Sequence, residues 1–259
     1  MSKTRIKIGV FGLGEAGSLI ASDLRSTGVQ INAFDPKPVA TPQGINRHTT
    51  PQTTVEDADV VIALTASADA HQALNQAFNE LPEDVLYADF STSPSELKKQ
   101  LAKQCSNRKI QFVDVALMSV VPGKGLKTPA LASGYGARRF VKIFSGLGMP
   151  VEMIGNFAGE AATRKLLRSV MMKGLAAAII EAMEGAKAAG CSQWLWENMT
   201  AEINNADELL LARLVKGTKK HAHRRLHEME ASCLLLKSLG VDSYMSKSTV
   251  ETLRKISDK

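Results

Sequence analysis

The stretch Ile6-Lys7-Ile8-Gly9-Val10-Phe11-Gly12-Leu13-Gly14-Glu15-Ala16-Gly17 decides how the chain is read. Ile6, Ile8, Val10 and Phe11 form the short apolar run that a buried strand needs, and a cluster of glycines follows at once. Beyond it Leu19, Ile20 and Leu24 recur with helical spacing until Gly28 stops the pattern. Strand, tight turn and helix are therefore expected in that order. Residues 29–34 give a second strand with Asp35 at its C-terminal tip, which completes one β-α-β unit.

Outward from that unit the alternation continues. Residues 58–64 read as an unbroken apolar strand, 68–79 as a helix and 85–90 as another strand. Ser91-Thr92-Ser93-Pro94 offers a helix cap with proline near the first turn, opening a helix to about residue 104. Strands over 110–117, 130–133 and 151–154 and a helix over 137–146 follow. Unbroken apolar strands alternating with helices belong in a parallel sheet covered on both faces, because they have no polar side to turn to water. After Gly159 the texture becomes long amphipathic helices, with 161–189 able to run as one and breaks expected at Gly190, near Gly217 and at Gly240. All nine prolines lie between Pro36 and Pro150, so nothing of that kind interrupts helices in the last part of the chain. The expectation is an α/β fold: a mostly parallel, doubly wound sheet over residues 1–157, then an all-helical domain over 158–259.

With 259 residues the chain can bury two cores of its own. Its composition, 44% apolar and 22% charged, is that of a soluble globular protein, and no apolar run reaches the length of a membrane span. The first residues enter the strand pattern with no cleavable apolar leader, which leads us to expect a cytoplasmic protein. Cys105, Cys191 and Cys233 are isolated, so neither a disulfide framework nor a zinc ribbon is expected. The net charge of +6 is shared between the two halves, but residues 213–225 hold Arg and Lys side chains and no acid, with His221, His223 and His227 close by. Such a field suits either an anionic partner or a solvated face. Aromatics are only 5% and no nucleic-acid motif accompanies the charge, so no nucleic acid is expected as partner. His223 and His227 stand four apart, but no third ligand completes a zinc pattern, and no metal is expected.

The glycines carry the chemistry. In a G-x-G-x-x-G turn between strand and helix, Gly12 permits the tight turn, Gly14 lets a pyrophosphate approach the backbone, and Gly17 allows the helix to pack closely on the strand. The helix N-terminus then meets the phosphates. Asp35 can accept hydrogen bonds from the adenosine ribose hydroxyls, which favours NAD over NADP, although Lys37 nearby leaves NADP open. Gly12, Leu13, Gly14, Glu15, Ala16, Gly17 and Asp35 are the expected dinucleotide-binding residues, with Leu64 and Thr65 at the end of the 58–64 strand.

These residues resemble the β-hydroxyacid dehydrogenase superfamily, which includes 6-phosphogluconate dehydrogenase, 3-hydroxyisobutyrate dehydrogenase and the imine reductases. Phe11 to Gly17 is similar to its opening fingerprint, and Asp89-Phe90-Ser91-Thr92-Ser93-Pro94 to its D-x-S-T block. The resemblance implies that Ser91 and Thr92 lie beside the nicotinamide. It also implies that Lys165, six residues after Gly159, is the acid/base on the first turns of a long helix. The stretch 221–244 is similar to an uncharacterised helical domain of some members. Helices rich in Leu, Met and Ala around one long axis leave more apolar surface than a monomer of this size exposes, so a homodimer built through the C-terminal helices is expected. Two blocks depart from better-known members. Met118, followed by Ser119, stands where they have a carboxylate-binding serine, and Arg168-Ser169 replaces an asparagine one turn after the lysine.

Helix geometry is compatible with that role, because Lys165, Ser169 and Lys173 fall at i, i+4 and i+8 and share one face, which is either a polar stripe entering a cleft or an exposed face of surface lysines. A lysine can take the proton that an alcohol loses as hydride leaves its carbon. Ser119, Met118, Ser169 and Lys173, with His221, Arg224 and Arg225, are the expected substrate contacts, since arginine makes paired hydrogen bonds to carboxylate or phosphate. The expected activity is hydride transfer between NAD and a small anionic hydroxy acid. Imine or carbonyl reduction, and an NAD(H)-binding sensor without turnover, are the alternatives.

Overall fold

The computed structural model describes residues 6–258, which divide into two compact units, one up to Arg168 and one from Ser169 onward. The sequence-based boundary at 157/158 lies shortly before the long helix Glu160–Ala188, and the division by compactness lies inside that helix.

The first unit is an eight-stranded sheet: β1 (Lys7–Phe11), β2 (Gln30–Phe34), β3 (Asn46–Arg47), β4 (Val60–Ala63), β5 (Leu86–Asp89), β6 (Gln111–Leu117), β7 (Ala130–Ser133) and β8 (Val151–Gly155). The strand order is β3-β2-β1-β4-β5-β6-β7-β8, and every pair is parallel except β6 with β7. The helices are α1 (Glu15–Ser26), α2 (Pro51–Val55), α3 (Ala70–Ala77), α4 (Ser95–Ser106), α5 (Ala137–Gly146) and the start of α6 (Glu160–Ala188). Alternation along one strand explains the unbroken apolar pattern. Val60 and Ile62 of β4 pack in one core with Ile20, Leu24, Phe140 and Phe144, while Val61 and Ala63 pack in a second with Leu74, Ala77 and Leu101. Each large side chain removed from water in this way contributes about 1.5–3 kcal/mol, offset by the entropy of ordering the chain. The strand order reverses between β1 and β4, and in open sheets of this kind ligands bind beyond the carboxyl ends of the strands at such a point.

In the second unit the rest of α6 is followed by α7 (Ser192–Asn204), α8 (Glu208–Lys220), α9 (Ala222–Ser238) and α10 (Tyr244–Ser257). Its core is small: Leu226, Val250 and Leu253, backed by Met229 and Cys233. Glu181 of α6, only 8% exposed, accepts hydrogen bonds from the backbone N–H groups of Met245 (2.7 Å) and Ser246 (2.9 Å) and from the Ser246 hydroxyl (2.6 Å). A distant carboxylate thus caps α10, whose own N-cap residue, Ser243, makes no such bond. Val170 (74%), Trp194 (64%), Leu209 (76%) and Leu234 (69%) are exposed. Among the described residues no helix is long and apolar enough to cross a membrane.

Several local expectations change. The helix expected over 68–79 is a 3-10 turn at Ser67–Asp69 followed by the shorter α3. The cap expected from Ser91 to Pro94 is absent: Pro94 is the N-cap of α4 and has no capping side chain, because the hydroxyls of Ser91 and Ser93 bond to each other and Ser91 also donates to Asp89. The break expected near Gly217 falls at His221: helix α8 passes through the glycine and ends there. An additional break at residues 205–207 closes where the Asp207 side chain accepts the N–H of Leu210 and caps α8. The short β3 and α2 lie in the stretch that reads only as a connection.

Candidate active site

The glycine turn has the geometry its residue types demand. Gly12 has φ +91°, and a Cβ there would lie 2.5 Å from the Leu64 carbonyl oxygen. At Gly17 a Cβ would lie 2.1 Å from the Gly12 carbonyl oxygen, so α1 can approach β1 this closely only without a side chain. Gly14 is different: nothing lies within 4 Å of its Cβ position, and it is the N-cap of α1 with no capping side chain. Open space in front of an uncapped helix N-terminus is what a pyrophosphate requires.

A cavity of about 330 Å³ opens beside this turn, walled by Gly12, Gly14, Asp35, Lys37, Thr65 and Gln76 among others. The Asp35 carboxylate is fixed by two backbone donors, Leu13 N–H at 2.7 Å and Lys37 N–H at 2.8 Å. Its remaining lone pairs are available for ribose hydroxyls. Arg47 of β3 ties down the loop after Asp35, donating to the carbonyls of Asp35 (2.9 Å), Lys37 (2.5 Å) and Val39. A second cavity, also about 330 Å³, is lined by Glu15, Ala16, Thr92, Leu117, Ser119 and Lys165 among others. Leu64 and Thr65 belong to both walls, and the buried Thr65 hydroxyl has no hydrogen-bond partner among the described residues. The chain therefore fits a dinucleotide by three observations: a glycine cradle that a Cβ would fill, an uncapped helix start, and an orphaned hydroxyl between the two cavities.

Of the expected cofactor residues, Leu13, Gly17 and Ser91 lie behind these walls rather than on them. Leu13 and Ser91 are 2% and 4% exposed, and their bonds go to Asp35 and Asp89. Ser119 lines the second cavity and accepts a hydrogen bond from Lys124 Nζ at 2.8 Å, whereas Met118 does not line it and is held through its backbone N–H to Pro129.

The start of α6 is pinned from several sides. Gly159 has φ +97°, and a Cβ there would meet the Ser95 hydroxyl at 2.3 Å. Asp114 Oδ2, on β6, accepts the N–H groups of Gly159 (3.0 Å) and Ala162 (2.9 Å), and the Ser133 hydroxyl, on β7, accepts that of Ala161 (3.0 Å). Glu160 N–H reaches the Phe157 carbonyl. Every N–H at this helix start is accounted for, and one turn further on stands the half-buried Lys165. Asp114 Oδ1 faces Lys98 Nζ at 3.2 Å, and the same ammonium reaches Asp89 Oδ2 at 3.1 Å and the Asp89 carbonyl at 2.9 Å. Sequence reasoning missed Lys98. The available signal was its position: Lys98, Leu101 and Cys105 share the buried face of α4, where a charge needs partners.

The other expected substrate residues belong to the second unit. Ser169 and Lys173 continue the Lys165 face of α6, half-buried and exposed respectively. His221 joins α8 to α9, Arg224 pairs with Glu228 at 3.4 Å, and Arg225 donates to Thr218 at 2.6 Å. His223 and His227 stack edge to face at 4.6 Å, and among the described residues no group of three His, Cys, Asp or Glu side chains could hold a metal ion.

The chain is similar to several known proteins. An uncharacterized 28.5 kDa protein of Methanothermus fervidus is 27% identical over 230 residues, 86% of this chain and 88% of its own. The mitochondrial 3-hydroxyisobutyrate dehydrogenase of Drosophila melanogaster is 27% identical over 214 residues, 77% of this chain and 63% of the enzyme. A reductive aminase from Aspergillus terreus, solved with NADPH and ethyl levulinate, shares the fold with a TM-score of 0.82 at 18% identity, covering 97% of this chain and 93% of that one. Residues 7–122 match the model of the NAD-binding domain of 6-phosphogluconate dehydrogenase, and residues 186–256 that of a domain of unknown function, DUF1932. The first match covers the glycine turn and most of the sheet, and the second covers the C-terminal helices.

Proposed function

We propose that the chain is an NAD(H)-dependent oxidoreductase acting on a small anionic hydroxy acid, with Lys165 as the proton-transfer residue. One observation carries this reading: Lys165 lines a cavity that shares Leu64 and Thr65 with the cavity beside Asp35 and the glycine turn. A dinucleotide with its adenosine against Asp35 and its pyrophosphate before Gly14 would extend its nicotinamide toward Thr92 and Lys165. Bound there, the nicotinamide supplies or accepts the hydride. Lys165 Nζ takes the hydroxyl proton as the carbinol is oxidised and returns it in the reverse direction. Lys124, held against Ser119 on the cavity wall, supports an anionic substrate. His221, Arg224 and Arg225 would add to the substrate site through assembly, since the helical unit exposes more apolar surface than its small core can absorb.

A second reading, imine or carbonyl reduction, has specific support in the apolar part of the same wall, Leu117, Val120, Val121 and Pro122. Nicotinamide absorbance across panels of hydroxy acids with NAD and of cyclic imines with NADH separates the two. In either case Lys165→Ala should keep the fold and NADH affinity while turnover falls about a hundredfold or more, and Lys173→Ala should do much less. Tight NADH binding with no hydride exchange in any panel would select the sensor and refute the enzyme.

A further inference from the structure

We propose that Lys98 is a positioning residue for Lys165, acting through the buried chain Asp89–Lys98–Asp114; this rests on the reading of Lys165 as the proton-transfer group. Lys98 is fully buried, as are both carboxylates, and none of the three lines either cavity. Burying three charges is a poor route to stability, since apolar residues of similar volume usually do as well or better. What fixed charges add is defined geometry, and here each end of the chain fixes a wall of the second cavity. On one side Asp89 accepts the Ser91 N–H at 3.0 Å and the Ser91 hydroxyl at 2.9 Å, which sets the backbone immediately before Thr92. On the other, Asp114 holds the first N–H groups of α6, one turn before Lys165, and belongs to the strand that leads to Leu117 and Ser119. Ser133 extends this hold by taking the Ala161 N–H while lying 3.3 Å from Asp114 Oδ2.

The charges are also apportioned for this task. One ammonium against two carboxylates leaves a net −1, and the excess faces the α6 N-terminus, where the helix dipole favours negative charge. Lys98 lies between the two, so its loss uncouples the α6 start from the Thr92 loop while touching neither cavity.

The test needs no substrate. Lys98→Met together with Asp89→Asn keeps the net −1 and the Asp114 cap but cuts the bridge. NADH affinity, read by fluorescence titration, is expected to stay within about twofold of wild type because the glycine turn and Asp35 are unchanged. Acetylation of Lys165 by acetic anhydride, followed peptide by peptide by mass spectrometry with exposed Lys109 as internal standard, should be slowed roughly tenfold by bound NADH in the wild-type protein. In the double variant that protection should fall to about twofold or less. Wild-type protection in a folded double variant that binds NADH overturns the positioning role. NADH binding that leaves wild-type Lys165 unprotected overturns the underlying site reading as well, and is thereby distinguishable. If the double variant does not fold, Lys98→Arg, which keeps the charge but moves the donors, carries the same comparison: reduced protection supports the proposal and unchanged protection refutes it.

Discussion

Gly17→Ala and Gly14→Ala are chemically the same change three residues apart, and the geometry predicts a large loss of stability at the first and little change at the second. At Gly17 the added Cβ would sit 2.1 Å from the Gly12 carbonyl oxygen and 2.9 Å from its carbon, both backbone atoms that cannot rotate away. Restoring ordinary contact requires a displacement of about 1 Å between α1 and the glycine turn. Overpacking of this kind costs about 1–3 kcal/mol, and each kcal/mol lowers Tm by about 2–4 °C for a chain of this size. The same displacement opens the cradle before the α1 N-terminus, so NADH affinity should fall at least about tenfold. At Gly14 nothing lies within 4 Å of the new methyl, and φ is −62°. Stability should therefore hold, because the gain of about 0.4–1 kcal/mol from lost unfolded-state freedom is offset by the poorer N-cap that alanine makes at the start of α1. NADH affinity should still fall, because the methyl occupies the space left for the pyrophosphate. Thermal unfolding monitored by circular dichroism and NADH fluorescence titration measure the two quantities on the same samples. Equal Tm losses in both variants, or full NADH affinity in either, would refute the reasoning.

Three further outcomes are expected. Asp35→Ser should narrow or reverse a preference for NAD(H) over NADP(H), measured by isothermal titration with both cofactors; a wild-type preference for NADP(H) would mean that Lys37 or a neighbour overrides the carboxylate. Sedimentation at micromolar concentration should give a homodimer formed through the C-terminal helices, and a monomer would remove the idea that Arg224 and Arg225 act by assembly. For Glu181, burial acts to raise the carboxyl pKa but is outweighed by hydrogen bonds from the Ser246 hydroxyl and the Met245 and Ser246 backbone and by nearby Lys247, so the net shift is downward. The folded-state value then lies below the unfolded one, so this stabilisation is complete above the unfolded pKa and is lost as pH falls through the folded pKa. Denaturant unfolding followed into acid should accordingly show a shallower pH dependence in Glu181→Gln, and parallel curves for the two proteins would contradict the assignment.

Local pattern made part of this protein legible without coordinates. The unbroken apolar run of β4 and the glycine spacing after β1 depend on near neighbours, so the strands other than β3, the turn chemistry and a long helix over 161–189, observed at 160–188, could be read directly. Gly159 could be recognised as a turn residue, but its reason, the close approach of Ser95, could not. The break expected near Gly217 moves to His221 for the same reason: a glycine inside a helix costs only about 1 kcal/mol, which the rest of α8 absorbs, and the sequence contains no local sign of that compensation. Lys98, Asp89 and Asp114 are unremarkable as separate letters. They become a unit only when the order of β5 and β6 and the packing of α4 bring an ammonium between two carboxylates. The Arg47 contacts behind Asp35 and the shared Thr65 wall arise in the same way. The sequence by itself determined the periodic elements and the residue types that a dinucleotide turn needs, because those depend on backbone sterics within a few residues. Tertiary structure alone decided which distant polar groups meet, because a buried charge is tolerable only beside partners that the folded sheet, and not the chain order, brings within reach.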